Sequence, residues 1–351
     1  MKIYFNGLDG IRAFAAVSVM VAHIIEISGS SLYHAIDYLG FNGVIVFYVL
    51  SGYLITSLLL LEKENKGKIN FKNFYVRRIL RIWPLYFFII GLSLFFFDFH
   101  PPAWVLFFYL LILPNFPHAA GYSWNPSVQI WTIGVEEQFY MFWPFLANRS
   151  KSFVWKFLVV FIPVWTILPH GIAYVSNKTG MFSNDTLAYI TKFFWGAKFN
   201  CMAIGALLAY INLNHKQWLY GFFKSKFTFM AACVIWFIAF YFELYHTYFN
   251  HEILAMATAL VIAYITNHPT FLFDNQLIRF LGKISYGIYM YHWMIAIAVV
   301  MFYKSRIHKQ LSSIDVVYIT CISSFLSIAV AYFSFHYLEG YFLKLKEKFN
   351  A

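Results

Sequence analysis

Charge is scarce in this chain, and negative charge is scarcest. Of 351 residues 15 are Asp or Glu, against 26 Lys and Arg, and charged residues make up 12% of the whole. A soluble domain carries about twice that share, so a water-facing globule is excluded. There are three cysteines, Cys201, Cys233 and Cys321. Each falls in a different apolar run, with neither metal nor disulfide spacing, which excludes a disulfide framework and leaves them as packing or lipid-phase residues. No repeat, low-complexity tract or soluble domain interrupts the sequence, so residues 1–351 are expected to form a single membrane domain. No cleavable leader is expected either. In MKIYFNGLDGIRAF, Asp9 and Arg12 stand where a signal needs an apolar stretch and no small-residue cleavage site follows, so the first apolar run is expected to persist as a helix.

What the chain has in abundance is apolar and aromatic surface. It is 61% hydrophobic and 23% aromatic, led by 42 Phe and 26 Tyr, which suits lipid-facing helices and interfacial belts. Ten candidate spans follow: Leu8 to Ile27, Gly40 to Leu61, Ile79 to Phe99, Val128 to Ala147, Phe153 to Pro169, Leu187 to Ile211, Phe227 to Leu244, Glu252 to Thr266, Ile284 to Tyr303 and Ile314 to Leu338. Ala103 to Leu113 is too short to span comfortably and reads as a re-entrant or interfacial piece covered by protein. The expected fold is therefore all-α, a polytopic transmembrane helix bundle.

Charge placement orients it. The segments Glu62 to Arg78, Asn148 to Lys151, Asn212 to Lys226, Asn267 to Lys283 and Lys344 to Lys348 all carry Lys or Arg, whereas the alternate loops Ser28 to Leu39, Pro114 to Ser127, His170 to Thr186 and Tyr245 to His251 hold a single Lys between them. By the positive-inside rule both termini are cytoplasmic. Tyr303 to Lys309 is the exception. The net charge of +11 lies between apolar runs rather than on one amphipathic face. Loops touching anionic headgroups account for it, and no nucleic-acid partner is expected.

Ionisable groups inside such spans are costly and mark candidate sites. Arg12 and His23 share the first span. Eleven residues at 100° each return to nearly the same helix face, roughly 16 Å further along. In IWTIGVEEQFYMFWP, Glu136 and Glu137 are adjacent carboxylates about 100° apart around the helix, so one of them, with Tyr140 at i+4, points to the bundle centre. A glutamate beside His23 would fix its tautomer and raise its basicity. The bland reading is that these polar groups only glue helices together, and it weighs most for Glu137 and Gln138. In YVRRILRIWPLYF, Arg77, Arg78 and Arg81 crowd a cytoplasmic helix entry. Guanidinium forks bind phosphate bidentately, and positive-inside anchoring explains one or two of these arginines better than Arg81, a turn inside the apolar run. Ser51 with Gly52 in FYVLSGYLIT permits close helix approach, where packing explains the pair as well as function does. In SYGIYMYHW, His292 lies near mid-membrane among Tyr286, Tyr289 and Tyr291, as a second proton-handling group or a hydrogen-bonded core histidine. Lys192, Lys198, Glu243 and Glu339 sit near span ends, where snorkelling suffices.

Taken in order, LDGIRAFAAVSVMVAH, FYVLSGYLIT, FYVRRILRIWPLYF, IWTIGVEEQFYMFWP and SYGIYMYHW resemble the acyltransferase-3 family of integral membrane acyltransferases. The resemblance implies an acyl group, most often acetyl, taken from cytoplasmic acyl-CoA and placed on a hydroxyl at the outer face. Acetyl-CoA is then the donor substrate, with no permanently bound cofactor and no metal. The family pattern makes Arg12 and His23 the paired essential residues, sets Arg78 with Arg81 on the acyl-CoA side, and puts Glu136 at its glutamate position. Thr132-Ile133-Gly134 departs mildly from the usual Ser-Leu-Ser, which bears on acceptor fit. His23 would serve as general base on the acceptor hydroxyl or as transient acyl carrier, Arg12 would support the donor channel, and Ser51, Tyr140 and His292 would be supporting residues. Members of the family dominated by glycan modification suggest a surface or lipid-linked glycan as acceptor and a bacterial inner membrane as location. The esterase-like domain that follows the membrane core in some members is not expected here, so transfer would be completed by the membrane domain or by a separate partner. The competing reading is a proton-coupled transporter relaying through His23, Glu136 and His292. It lacks paired, interrupted spans and leaves Arg78 and Arg81 unexplained. A glycosyltransferase would call for acidic outer loops, which this chain does not have.

Overall fold

The computed structural model describes residues 5–98, 100–213, 221–222, 224–241, 249–268, 270–307 and 310–349. The far end of the third expected span at Phe99, together with Glu243, the loop from Tyr245 to Tyr248 and Lys309, lies outside the described residues. Among the described residues every regular element is helical. The helices are α1 (Leu8–Ser28), α2 (Asp37–Lys66), α3 (Phe71–Phe96), α4 (Ala103–Leu110), α5 (Asn115–Ala119), α6 (Trp131–Ala147), α7 (Lys151–Thr179) and α8 (Asn184–Gly196). They continue as α9 (Phe199–Leu213), α10 (Lys226–Tyr241), α11 (Asn250–Ile265), α12 (Phe271–Asp274), α13 (Gln276–Lys283), α14 (Ser285–Arg306), α15 (Ser313–Ser334) and α16 (Gly340–Glu347).

Among the described residues seven stretches are long and apolar enough to cross a membrane: α1, α2, α3, α7, α8 continued by α9, α14, and α15 with its extension to Glu347. α10 and α11 are shorter apolar helices, and α6 supplies the remaining expected segment. The protein is a polytopic helical membrane bundle. α4, eight residues long, covers only about 12 Å and does not span. Its Val105 and Tyr109 are buried and the Tyr109 carbonyl accepts from Tyr86 Oη at 2.8 Å, but Trp104, Phe107 and Leu110 are exposed, so protein covers one face of this short piece and not the whole of it.

Two helices form the centre. α2 and α9 make the largest helix interface, and they do so because side chains are missing where they cross. A Cβ on Gly52 would collide with the Met202 carbonyl, and one on Gly205 with the Val49 carbonyl. Backbone approach of this kind is how small residues drive helix association without a hydrophobic gradient. Gly52 thus takes the packing role that its sequence context left open. α7, by contrast, has only 6% of its apolar window buried and faces lipid. Side-chain caps fix the helix entries. Asn70 accepts from Asn73 N at 3.0 Å at the start of α3, and Ser312 with Asp315 forms a capping box at α15.

Lys198 is not a snorkelling residue. It pairs with Glu252 at 3.0 Å, and Glu252 also accepts from Asn200 Nδ2 at 2.7 Å. Residues 197 and 198 interrupt the α8–α9 helix, which turns the ammonium inward onto the first turn of α11 instead of along the helix toward water.

Candidate functional site

α1 carries Arg12 and His23 into two different surroundings. At the arginine end, α1, α2, α3, α6 and α14 enclose a cleft of ≈ 810 Å³, open to solvent, into which Arg12, Arg78, Arg81, Ser51, Glu136 and Tyr140 face. The Asn70 cap sets the phase of α3, so that Arg78 and Arg81, one turn apart, turn to the same side. Arg78 is 9% exposed, lies 5.7 Å from the Phe74 ring centre and 5.6 Å from that of Tyr140, and has a buried Nε without a hydrogen-bond partner. Among the described residues no carboxylate stands within 4 Å of either guanidinium. Arg12 is held by Asp9, one turn back, at 2.8 Å. Arginine forks that line an open cleft and make no direct ion pair suit a phosphate or carboxylate ligand.

Arg77 separates from the other two, which corrects its grouping as a ligand-binding arginine. It pairs with Glu62 at 2.9 Å and donates to the Phe349 carbonyl at 2.9 Å, and it does not line the cleft. One position before Arg78, it is turned by about 100° onto the C-terminal segment.

The adjacent carboxylates diverge in the same way. Glu136 faces the cleft and accepts from Tyr140 Oη at 2.7 Å, with Ser51 within hydrogen-bonding reach. Glu137 accepts from Trp83 Nε1 at 3.1 Å, and Gln138 donates to Asn115 at 2.7 Å. These last two tie α6 to α3 and α5, so Glu136 is the member of the pair that lines the cleft, and Glu137 and Gln138 bond helices together.

Tyr289 lines the cleft on the side nearest His292, the two ring centres 5.7 Å apart. Its hydroxyl donates to the Gln129 carbonyl at 2.7 Å and lies 2.7 Å from Thr132 Oγ1, while its ring packs edge-on against Phe47 at 5.9 Å. Beyond Tyr289 lie the two histidines. His23 Nδ1 and His292 Nε2 are 2.9 Å apart, with the rings nearly parallel at 9°. His292 is fully buried, and its Nδ1 meets the Ile288 carbonyl at 3.2 Å. Trp293 packs edge-on against His23 at 4.7 Å and donates to Asn125 Oδ1 at 2.8 Å.

The expected glutamate beside His23 is therefore replaced by a histidine. The elements packed extensively on α1 are α2, α13, α14 and α15, and α6 is not one of them, so Glu136 reaches the cleft and His292 reaches His23. Thr132 and Gln129 as the anchors of Tyr289, and the Lys198–Glu252 pair, were missed from the sequence. Partners 160, 157 and 54 positions apart leave no local pattern to read.

The chain as a whole is similar to proteins named as O-acetyltransferases. It is 27% identical to "O-acetyltransferase OatA" of Staphylococcus aureus (strain NCTC 8325 / PS 47), an alignment covering 96% of this chain and 57% of that protein. It is 25% identical to a putative O-acetyltransferase of S. aureus (strain COL), covering 97% of this chain and 58% of the relative. The chain thus spans somewhat over half the length of these curated relatives. No solved structure matches. The acyltransferase-3 family profile, described as an acyltransferase domain, matches residues 5–336, which takes in the cleft, both histidines and the helices that carry them, and the chain belongs to that family.

Proposed function

We propose that this protein is an O-acyltransferase, in the first instance an O-acetyltransferase, acting across a bacterial inner membrane with both termini in the cytoplasm. The observation that carries the reading is the pairing of Arg78 and Arg81, neither in a direct ion pair, on the open cleft, with the His23–His292 pair next to the cleft residue Tyr289. Acyl-CoA would enter from the cytoplasmic side with its phosphates on Arg78 and Arg81 and its extended arm along the cleft wall, where Arg12 supports the channel. The acceptor is a hydroxyl of a surface or lipid-linked glycan reaching His23 from the opposite face.

In the general-base route His23 removes the hydroxyl proton as the acceptor oxygen bonds to the thioester carbonyl carbon. The carbon–sulfur bond then breaks and the proton passes to the departing thiolate, giving an ester and a free thiol. In the covalent route the acyl group rests on His23 first. Glu136, with Tyr140 and Ser51, orders the cleft below the reacting carbonyl. A single membrane domain carries these steps.

The test is transfer of label from radiolabelled acetyl-CoA to extracted envelope glycan, comparing wild type with His23→Ala and Arg78→Ala at matched expression. Label lost in both variants supports the reading, and undiminished label with His23→Ala overturns the mechanism. The transporter alternative needs Glu136 to relay to the histidines, and the hydrogen bonds of Glu136 go to Tyr140 and Ser51 in the cleft, not to His23 or His292.

A further inference from the structure

The hydrogen bonds around the two histidines determine which nitrogen carries which proton. A backbone carbonyl only accepts, so the contact of His292 Nδ1 with the Ile288 carbonyl requires a proton on that nitrogen. A neutral imidazole with Nδ1–H has a bare Nε2. That bare nitrogen faces His23 Nδ1 at 2.9 Å, so His23 Nδ1 must be the donor. The remaining nitrogen of His23, Nε2, is then unprotonated. The alternative, a charged His292 donating from both nitrogens, has nothing to support it. The ring is fully buried, and no carboxylate is bonded to either histidine among the described residues.

The neighbourhood of Nε2 fits this assignment. The residue beside it is Gly40, in the first turn of α2, where a Cβ would lie 3.5 Å from His23 Nε2 and 3.5 Å from the Ala22 Cβ. A side chain longer than a methyl at this position would cover the bare nitrogen.

We propose that His292 is a positioning residue that holds His23 in its Nδ1–H tautomer, anchored in turn by the Ile288 carbonyl, so that His23 Nε2 is the reacting atom and Gly40 keeps it uncovered. This rests on the acyl-transfer reading for its chemistry, though not for its geometry. When Nε2 takes the acceptor's proton, the transient imidazolium still donates from Nδ1 to His292 Nε2, and the neutral pair is restored once the proton leaves with the thiolate. A neutral histidine here does the orienting work that a carboxylate does in the familiar triad.

Two measurements on the full-length protein in nanodiscs test it. The first is nitrogen-15 NMR of histidine-labelled wild type, with the His23 signals identified by their loss in His23→Gln. A protonated Nδ1 and bare Nε2 on His23 are expected, and a protonated Nε2 overturns the proposal. This readout needs no turnover, so it decides the tautomer even if no acyl transfer is found with any donor, which would count against the functional reading alone. The second is kinetic. His292→Leu removes the acceptor and is expected to lower kcat roughly a hundredfold or more, within the range for mispositioned general bases, with KM for acyl-CoA within about twofold. His292→Gln supplies a carbonyl acceptor near the same place and is expected to retain kcat within about tenfold. Equal losses in the two folded variants, checked by thermal unfolding, overturn the proposal.

Discussion

Two adjacent pairs of like residues, Arg77 with Arg78 and Glu136 with Glu137, illustrate how far a step of about 100° around a helix separates roles. Arg77 and Arg78 are neighbours, yet one closes a contact with the C-terminal segment and the other lines the cleft. Arg78→Lys keeps the charge but loses the planar fork and its two ring contacts, so on the proposed donor site KM for acyl-CoA should rise about tenfold or more with kcat little changed. Arg77→Ala should leave KM alone and instead lower thermal stability in detergent, by roughly 1 kcal/mol or less for a partly exposed pair. Glu137→Leu leaves the buried Trp83 donor unsatisfied at a cost of about 1–3 kcal/mol, whereas Glu137→Gln retains an acceptor and should unfold near the wild-type temperature. Much of this was legible in advance. Arg12, His23, Arg78, Arg81 and Glu136 announce themselves because ionisable groups are rare in apolar runs. What stayed hidden is partner choice. His23 meets His292, 269 positions away, and that contact depends on which helix α1 packs against, a matter no local spacing encodes.

At the scale of helices, the crossing of α2 and α9 and the interruption between α8 and α9 are the features most sensitive to sequence. Gly52→Ala places a methyl group into the Met202 carbonyl. Backbone cannot move aside as a side-chain tip does, so the cost should reach or exceed the usual 1–3 kcal/mol of overpacking, seen as loss of folded protein by size-exclusion fluorescence. The small pair was visible in the sequence, while its partner Gly205 was not. At the interruption, Glu252→Leu strands the Lys198 ammonium and should destabilise by about 3–5 kcal/mol, while the double change Lys198→Met with Glu252→Leu should recover most of that loss. A double-mutant cycle on unfolding temperature gives the coupling directly. Here the sequence reading erred for a physical reason. A lysine near the end of an apolar run normally reaches water along its own helix, and the break at residues 197 and 198 removes that route.

For the molecule as a whole, the ten apolar segments and the short uncrossing piece read from hydropathy each correspond to helix over most of their described residues, since in lipid the backbone has few other ways to satisfy its hydrogen bonds. Binding provides a global check on the proposed donor. A ligand selective for the folded state raises its stability by about 2.7 kcal/mol at a hundred times its dissociation constant. Acetyl-CoA should therefore raise the unfolding temperature of wild type and fail to do so for the double variant Arg78→Ala, Arg81→Ala. A transporter of unrelated cargo would show no such shift.

Tyr289 gives the bundle an electrical property as well as a chemical one. A passage that accepts a donor from one face and a hydroxyl from the other is, without a partition, a conduit for water and protons through an energised bilayer. The ring of Tyr289, held by Gln129 and Thr132 and packed against Phe47, lines the cleft with its centre 5.7 Å from that of His292, and is placed to act as that partition. Replacing it by glycine would open that partition, and the cell would register the change as a collapsing proton gradient, measurable in liposomes as dye-reported pH decay, before it registered any change in the rate of acyl transfer.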